Sequence, residues 1–205
     1  MRKKGAMSYR RASTLLLCAV LVAACAPVIK QYHEPSLKGA KLKYDIHWKQ
    51  PRLEANLSHG ATLSVSGSYE QSESGRHKLW FEVWYVVPKS NTLNLLSNEI
   101  LLEGPNGYSK QIQIDSLMGQ GPKQINQLYQ PTDALVGESL PCKFQPLFGS
   151  ECIYDNYYIF YYSESTPAFF EHFSIKLPPV SVNGQRVEAK TIRFRRTSSV
   201  SIETI

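Results

Sequence analysis

The 205-residue chain has no apolar run long enough to remain in a bilayer as a helix. Its apolar segment Leu15–Ala24 is ten residues, and a helical span needs roughly 20. No long stretch repeats apolar residues at helical spacing, which argues against a helical bundle or coiled coil. Aspartate is scarce, with only residues 45, 115, 133 and 155. There is no G-x-S-x-G elbow, no H-E-x-x-H and no Walker-type loop, so the familiar hydrolase, zincin and nucleotide chemistries lack their carriers. Glu171 and His172 are neighbours in a strand pattern and point to opposite faces. Asp45 and His47 share a face, without a third ligand beside them. The residues therefore predict no metal site, no cofactor and no enzymatic activity.

What is present begins at the N-terminus. Residues 1–14 carry Arg2, Lys3, Lys4, Arg10 and Arg11 and no acid. A basic start, a short apolar middle and small residues at its end make a secretory signal. Leu21-Val22-Ala23-Ala24-Cys25 resembles the lipobox of bacterial lipoproteins, with Val22 a less usual choice at its position. That resemblance implies removal of residues 1–24 and lipidation of Cys25, which becomes the first residue of the mature chain. Ala26, where Asp would favour inner-membrane retention in Gram-negative relatives, implies sorting to the outer membrane. Lipoproteins of this kind usually carry three acyl chains, and two or more make attachment durable. Cys18 lacks the small pair before it and reads as filler within the signal. Residues 26–40 contain Pro27, Pro35 and Gly39 without a clean period, and read as a tether.

Loss of the signal removes five of the 23 basic residues and leaves 18 against 17 acidic ones, a net of +1. A nearly neutral mature chain argues against a nucleic-acid partner. Arg186, Lys190, Arg193, Arg195 and Arg196 form the one local basic cluster. Arg193 and Arg195 alternate with apolar neighbours and so share the outer face of a strand. Solvation alone accounts for such a face; its functional reading is contact with anionic lipid or lipopolysaccharide.

Cys142 and Cys152, in "PCKFQPLFGSEC", are an even pair in an exported chain and are expected to form a disulfide. Zinc would require two further ligands close by, and no His is near either cysteine.

Residues 41–205 are enough for one domain with one core. Their dominant signal is alternation at period two. Leu42, Tyr44, Ile46 and Trp48 share one face, and Leu63, Val65 and Tyr69 share another. "KLWFEVWYVV" is apolar on both sides, which predicts a central strand and places Trp80 and Trp84 in the core. Asn106-Gly107 and Asn183-Gly184 supply the positive φ of turns between strands. "AFFEHFSIKL" puts Phe169, Phe173, Ile175 and Leu177 on one side, and "SVSIETI" reads as a short closing strand. A short helix is expected only near residues 122–130. About nine strands predict an all-β, immunoglobulin-like sandwich of two mostly antiparallel sheets.

"IYDNYYIFYY" puts Tyr154, Tyr158, Phe160 and Tyr162 on one face and Tyr157, Ile159 and Tyr161 on the other. One row meets the core; the first is the candidate binding surface, with sheet packing the competing reading. Aromatic rings suit protein recognition and sugar stacking. The expected function is a non-catalytic, outer-membrane-anchored module that binds an envelope protein. The alternative is a glycan- or peptidoglycan-binding module built on the Tyr row. A second alternative, an enzyme without a familiar motif, requires a pocket that gathers His47 or His172 with a carboxylate.

Overall fold

The computed structural model describes residues 27–45, 50–71, 77–120, 127–128, 134–137 and 156–202. Cys25, Cys142, Cys152, Tyr154 and His47 lie outside the described residues, as does most of the 122–130 segment. In chain order the strands begin β1 (Pro27–Ser36), β2 (Lys41–Asp45), β3 (Gln50–Asn56), β4 (Thr62–Gln71), β5 (His77–Val87), β6 (Thr92–Leu95), β7 (Glu99–Glu103) and β8 (Ser109–Gln113). They continue β9 (Ser116–Gln120), β10 (Gln127–Leu128), β11 (Leu135–Val136), β12 (Asn156–Thr166), β13 (His172–Lys176), β14 (Val180–Val182), β15 (Gln185–Val187) and β16 (Thr191–Ile202). The described residues fall into two compact units, one of residues 27–31 and 197–202 and one within residues 32–196 that holds the buried core.

Among the described residues three sheets form, in the orders β1-β16-β13-β7-β8, β10-β9-β12-β5-β4-β3-β2 and β11-β6-β14-β15. The pairings β12–β5, β4–β5, β13–β16 and β7–β8, among others, are antiparallel. The chain is therefore an all-β protein with antiparallel sheets arranged as a sandwich. β5 is central, as its two apolar sides predict, and pairs along its length with β4 and β12. Its inward set is Leu79, Phe81, Val83, Tyr85 and Val87, all buried. From the five-stranded sheet come Ile100, Leu102, Ile112, Phe173, Ile175, Ile192 and Phe194.

The two layers close on a glycine. Gly67 stands opposite Phe81 in the β4–β5 ladder. A Cβ there would lie 2.9 Å from Phe81 Cβ and 3.2 Å from Phe194 Cε1. The missing methyl admits Phe194, which stacks on Phe173 at 4.4 Å. Both Asn-Gly pairs make turns with positive φ at both residues. Asn183-Gly184 is a two-residue hairpin between Val182 and Gln185, while Asn106-Gly107 lies in a five-residue loop between Glu103 and Ser109.

Several expectations change. Residues 27–36 form β1 rather than a tether. Ser36 Oγ donates to Arg193 O at 3.2 Å, a bond that ties the end of β1 to β16. His33 on β1 is 2 % exposed among Tyr69, Phe169 and Phe173. Leu42 and Tyr44 are 48 % and 53 % exposed, because β2 is the sheet's edge and pairs only with β3. Their cross-strand neighbours Leu53 and Pro51 are buried, so Leu42 and Tyr44 lie on the core side of the sheet but overhang the core, while Ile46 and Trp48 lie outside the described residues. Gln127 and Leu128, inside the expected helix, are a strand paired with β9. The closing stretch through Ile202 continues β16 rather than starting a new strand.

Candidate functional site

The aromatic surface lies on the outer face of the seven-stranded sheet, and its residues differ from those expected. Antiparallel pairing puts Phe160 opposite Val83, Tyr162 opposite Phe81 and Tyr158 opposite Tyr85. Side chains of directly opposed residues share a face, so this Tyr–Phe row faces the core. Phe160 is buried, and Tyr158 and Tyr162 are half-buried against the core cluster. The Tyr158 hydroxyl donates to Val136 O at 2.8 Å and accepts from Val136 N–H at 3.0 Å. Tyr162 bonds Glu164, which also takes Lys110 Nζ at 2.5 Å. These rings staple strands and loops; they are not a platform.

The same parity turns Trp80 and Trp84 outward, where both are half-buried rather than in the core. Trp84 is flanked by Ser64 and Ile159, Glu82 by Ser66 and Tyr161, and Trp80 by Ser68 and Ser163. The three β4 serines are buried although they point outward, because their small side chains lie below the large ones beside them. Trp80 and Tyr161 stack with ring centroids 6.3 Å apart and planes inclined by 25°. Trp80 Nε1 is turned away from water and has no hydrogen-bond partner among the described residues. Tyr161 and Met118 are each 49 % exposed.

Between the indoles lies an ion pair. Arg52 Nη2 donates to Glu82 Oε1 at 2.8 Å, and Ser66 Oγ donates to the same oxygen at 2.7 Å. The Arg52 guanidinium also sits 4.4 Å from the centroid of the Trp84 ring, a cation–π contact. Trp80 and Trp84 are four residues apart on one strand, about 13 Å at the usual rise. The result is a line of rings around a polar centre. Glu82 was the signal for this arrangement: a charge between two tryptophans of one parity marks that parity as outward.

The second feature is on the outer face of the five-stranded sheet. Arg193 opposes Ser174 and Arg195 opposes His172. Both arginines are exposed, as the alternation predicts, and both line an open depression of about 700 Å³ together with Ser36, Glu103 and Glu171. Glu171 is held by Arg196 at 2.6 Å, and Glu103 accepts from Ser174 Oγ at 3.2 Å. His172 thus has carboxylates in its depression, but it hydrogen-bonds neither of them, and the Ser174 hydroxyl points to Glu103 instead of to the imidazole. No cluster of three metal-ligating side chains occurs among the described residues.

His33 is the one buried imidazole described. Its Nε2 lies 2.8 Å from Phe170 O, and burial holds its pKa below the ordinary value, against the opposing pull of that carbonyl and of Glu171. Burial likewise raises the Tyr69 phenol well above its usual value.

No protein-family model matches the chain, and no curated protein matches it. A solved structure titled "X-ray structure of Northeast Structural Genomics Consortium target SoR45" aligns with 69 % of this chain and 88 % of its own, at 11 % identity and a TM-score of 0.35. Similarity of that degree carries no argument about function.

Proposed function

We propose that the mature chain is a non-catalytic module, held on the bacterial outer membrane through lipidated Cys25, that docks an envelope protein on its Trp80–Trp84–Tyr161 face. The observation that supports docking is the composition of that face. Exposed Met118 and Tyr161 surround two half-buried tryptophans and Arg52, and Trp, Tyr, Met and Arg are the side chains enriched where proteins meet. The lipobox resemblance supports the anchor and the compartment.

The test is affinity capture from detergent-solubilised envelopes with the full chain tagged at its C-terminus. One stoichiometric partner is expected, and it should be lost with Tyr161→Ala combined with Met118→Lys. Both positions are exposed, so the variant keeps its fold. Retention of the partner by that variant removes this face from the proposal. Mass spectrometry of native material checks the anchor, with acyl groups expected on Cys25.

A glycan reading is favoured by one particular observation: two indoles about 13 Å apart in line, with the Arg52–Glu82 pair between them. That arrangement offers stacking and hydrogen bonds to successive sugars. Binding to immobilised peptidoglycan or polysaccharide, abolished by Tyr161→Ala, would select it over protein docking.

A further inference from the structure

We infer that the depression on the outer face of the five-stranded sheet is an anion site, and that its ligand is a phosphate ester or diphosphate group seated on Arg193 and Arg195. The site is on the opposite layer from the tryptophans and is independent of the function proposed for them.

Two neighbouring forks carry the argument. Arg193 and Arg195 project from the same face of β16, two residues and about 7 Å apart. Neither has a carboxylate partner among the described residues, whereas Arg52, Arg186 and Arg196 are each paired with a glutamate. Cross-strand from Arg195, the exposed His172 makes no hydrogen bond among the described residues and adds a free ring nitrogen. The depression of about 700 Å³ has the volume of a small-ligand site. A single carboxylate is satisfied by one guanidinium, but phosphate oxygens can occupy two forks at once.

The acidic groups nearby set the limits. Glu171 is neutralised by Arg196. Glu103 faces Ser174, itself opposite Arg193, and its charge weakens the field of the pair without cancelling it. Glu34 on β1, between buried His33 and Pro35, also faces outward beside β16 with Ser36, so the ligand is an anion held by two cations with two carboxylates, Glu34 and Glu103, close by.

The shared chemistry is the phosphate, and it has two sources: a soluble phosphate compound or a lipid headgroup. The experiment is calorimetric titration of the full chain in neutral maltoside micelles. One arm adds sodium pyrophosphate, and the other adds phosphatidylglycerol dissolved in the same detergent. Saturable binding in the pyrophosphate arm assigns a soluble phosphate ligand, and saturation confined to the phosphatidylglycerol arm assigns a lipid headgroup. In either case Arg193→Gln with Arg195→Gln should weaken binding about tenfold or more, with melting unchanged because both side chains are exposed. Glu103→Gln should tighten it. No saturation in either arm, or a double variant that binds like the parent, overturns the assignment. So does weaker binding in Glu103→Gln, which would mean the carboxylate holds a cation of the ligand.

Discussion

Arg52 on β3 and Glu82 on β5 meet at 2.8 Å across the intervening strand β4, directly over Ser66. The register brings them together. Leu53 opposes Val65, which sets Arg52 level with Ser66, and Ser66 opposes Glu82. A small residue on β4 is what lets the two long side chains touch. It also supplies a hydroxyl to the carboxylate.

The partners are only 16 % and 17 % exposed, so the pair is largely withdrawn from water. Glu82→Leu removes the carboxylate to which both Arg52 and Ser66 donate and should cost about 1.5–3 kcal/mol. Arg52→Met combined with Glu82→Leu should recover most of that loss, since apolar replacement of a desolvated pair is often close to neutral. Urea denaturation of the two singles and the double gives the coupling; strict additivity would show that the pair does not act as a unit.

His33 makes stability depend on pH. Its folded pKa lies below the unfolded value of about 6.5 because burial disfavours the cation. Well above 6.5 both states are neutral and the full stability is present. As the pH falls through 6.5 the unfolded chain takes up a proton that the folded chain refuses, so stability declines until the folded imidazole titrates in turn. The charged groups acting on this ring are Glu171, which favours the cation, and Arg196, which opposes it. Denaturation midpoints at pH 7.5 and 5.5 should differ more in the parent than in His33→Gln.

Gly67→Ala places a methyl against the backbone oxygen of Trp80 and the Cβ of Phe81, both at 2.9 Å. Neither is the loose end of a flexible side chain, so the β4–β5 ladder itself must shift. A loss of about 1–3 kcal/mol is expected, readable as a lower melting temperature. A melting temperature equal to the parent's would mean that the two layers tolerate a wider gap at Phe194.

Tyr158 and Tyr161 separate packing from recognition. Tyr158→Phe removes two hydrogen bonds to Val136 and should cost about 1–2 kcal/mol while leaving partner capture intact. Tyr161→Ala should change stability by about 0.5–1 kcal/mol at most, as an exposed site does, and should abolish capture. Thermal melts run beside the capture assay decide between the two rows; capture lost with Tyr158→Phe and kept with Tyr161→Ala would reverse their roles.

Much of the fold was legible because period two is a local property. The hairpin at Asn183-Gly184 needs only two residues that accept positive φ. The outward placement of Arg193 and Arg195, between buried Ile192 and Phe194, follows from charge beside apolar residues. Where one parity is polar and the other apolar, the sequence states both the strand and its inner face.

Where both parities are apolar, alternation gives only a relative answer. Residues 154–162 hold two rows of large rings, and nothing in that segment alone says which row is covered; in residues 79–87 only Glu82 marks the outer one. Pairing decided it: the β12 register locks Tyr158, Phe160 and Tyr162 to the Phe81–Tyr85 side and frees Tyr161 with Trp80. Sheet order decided the exposure of Leu42 and Tyr44, because an edge strand lacks a neighbour to extend the cover. The sequence by itself thus determined an all-β chain, its turns and its alternating faces. The tertiary structure alone chose which aromatic face meets solvent, because burial depends on what the opposite layer covers, and that layer is assembled from strands distant along the chain.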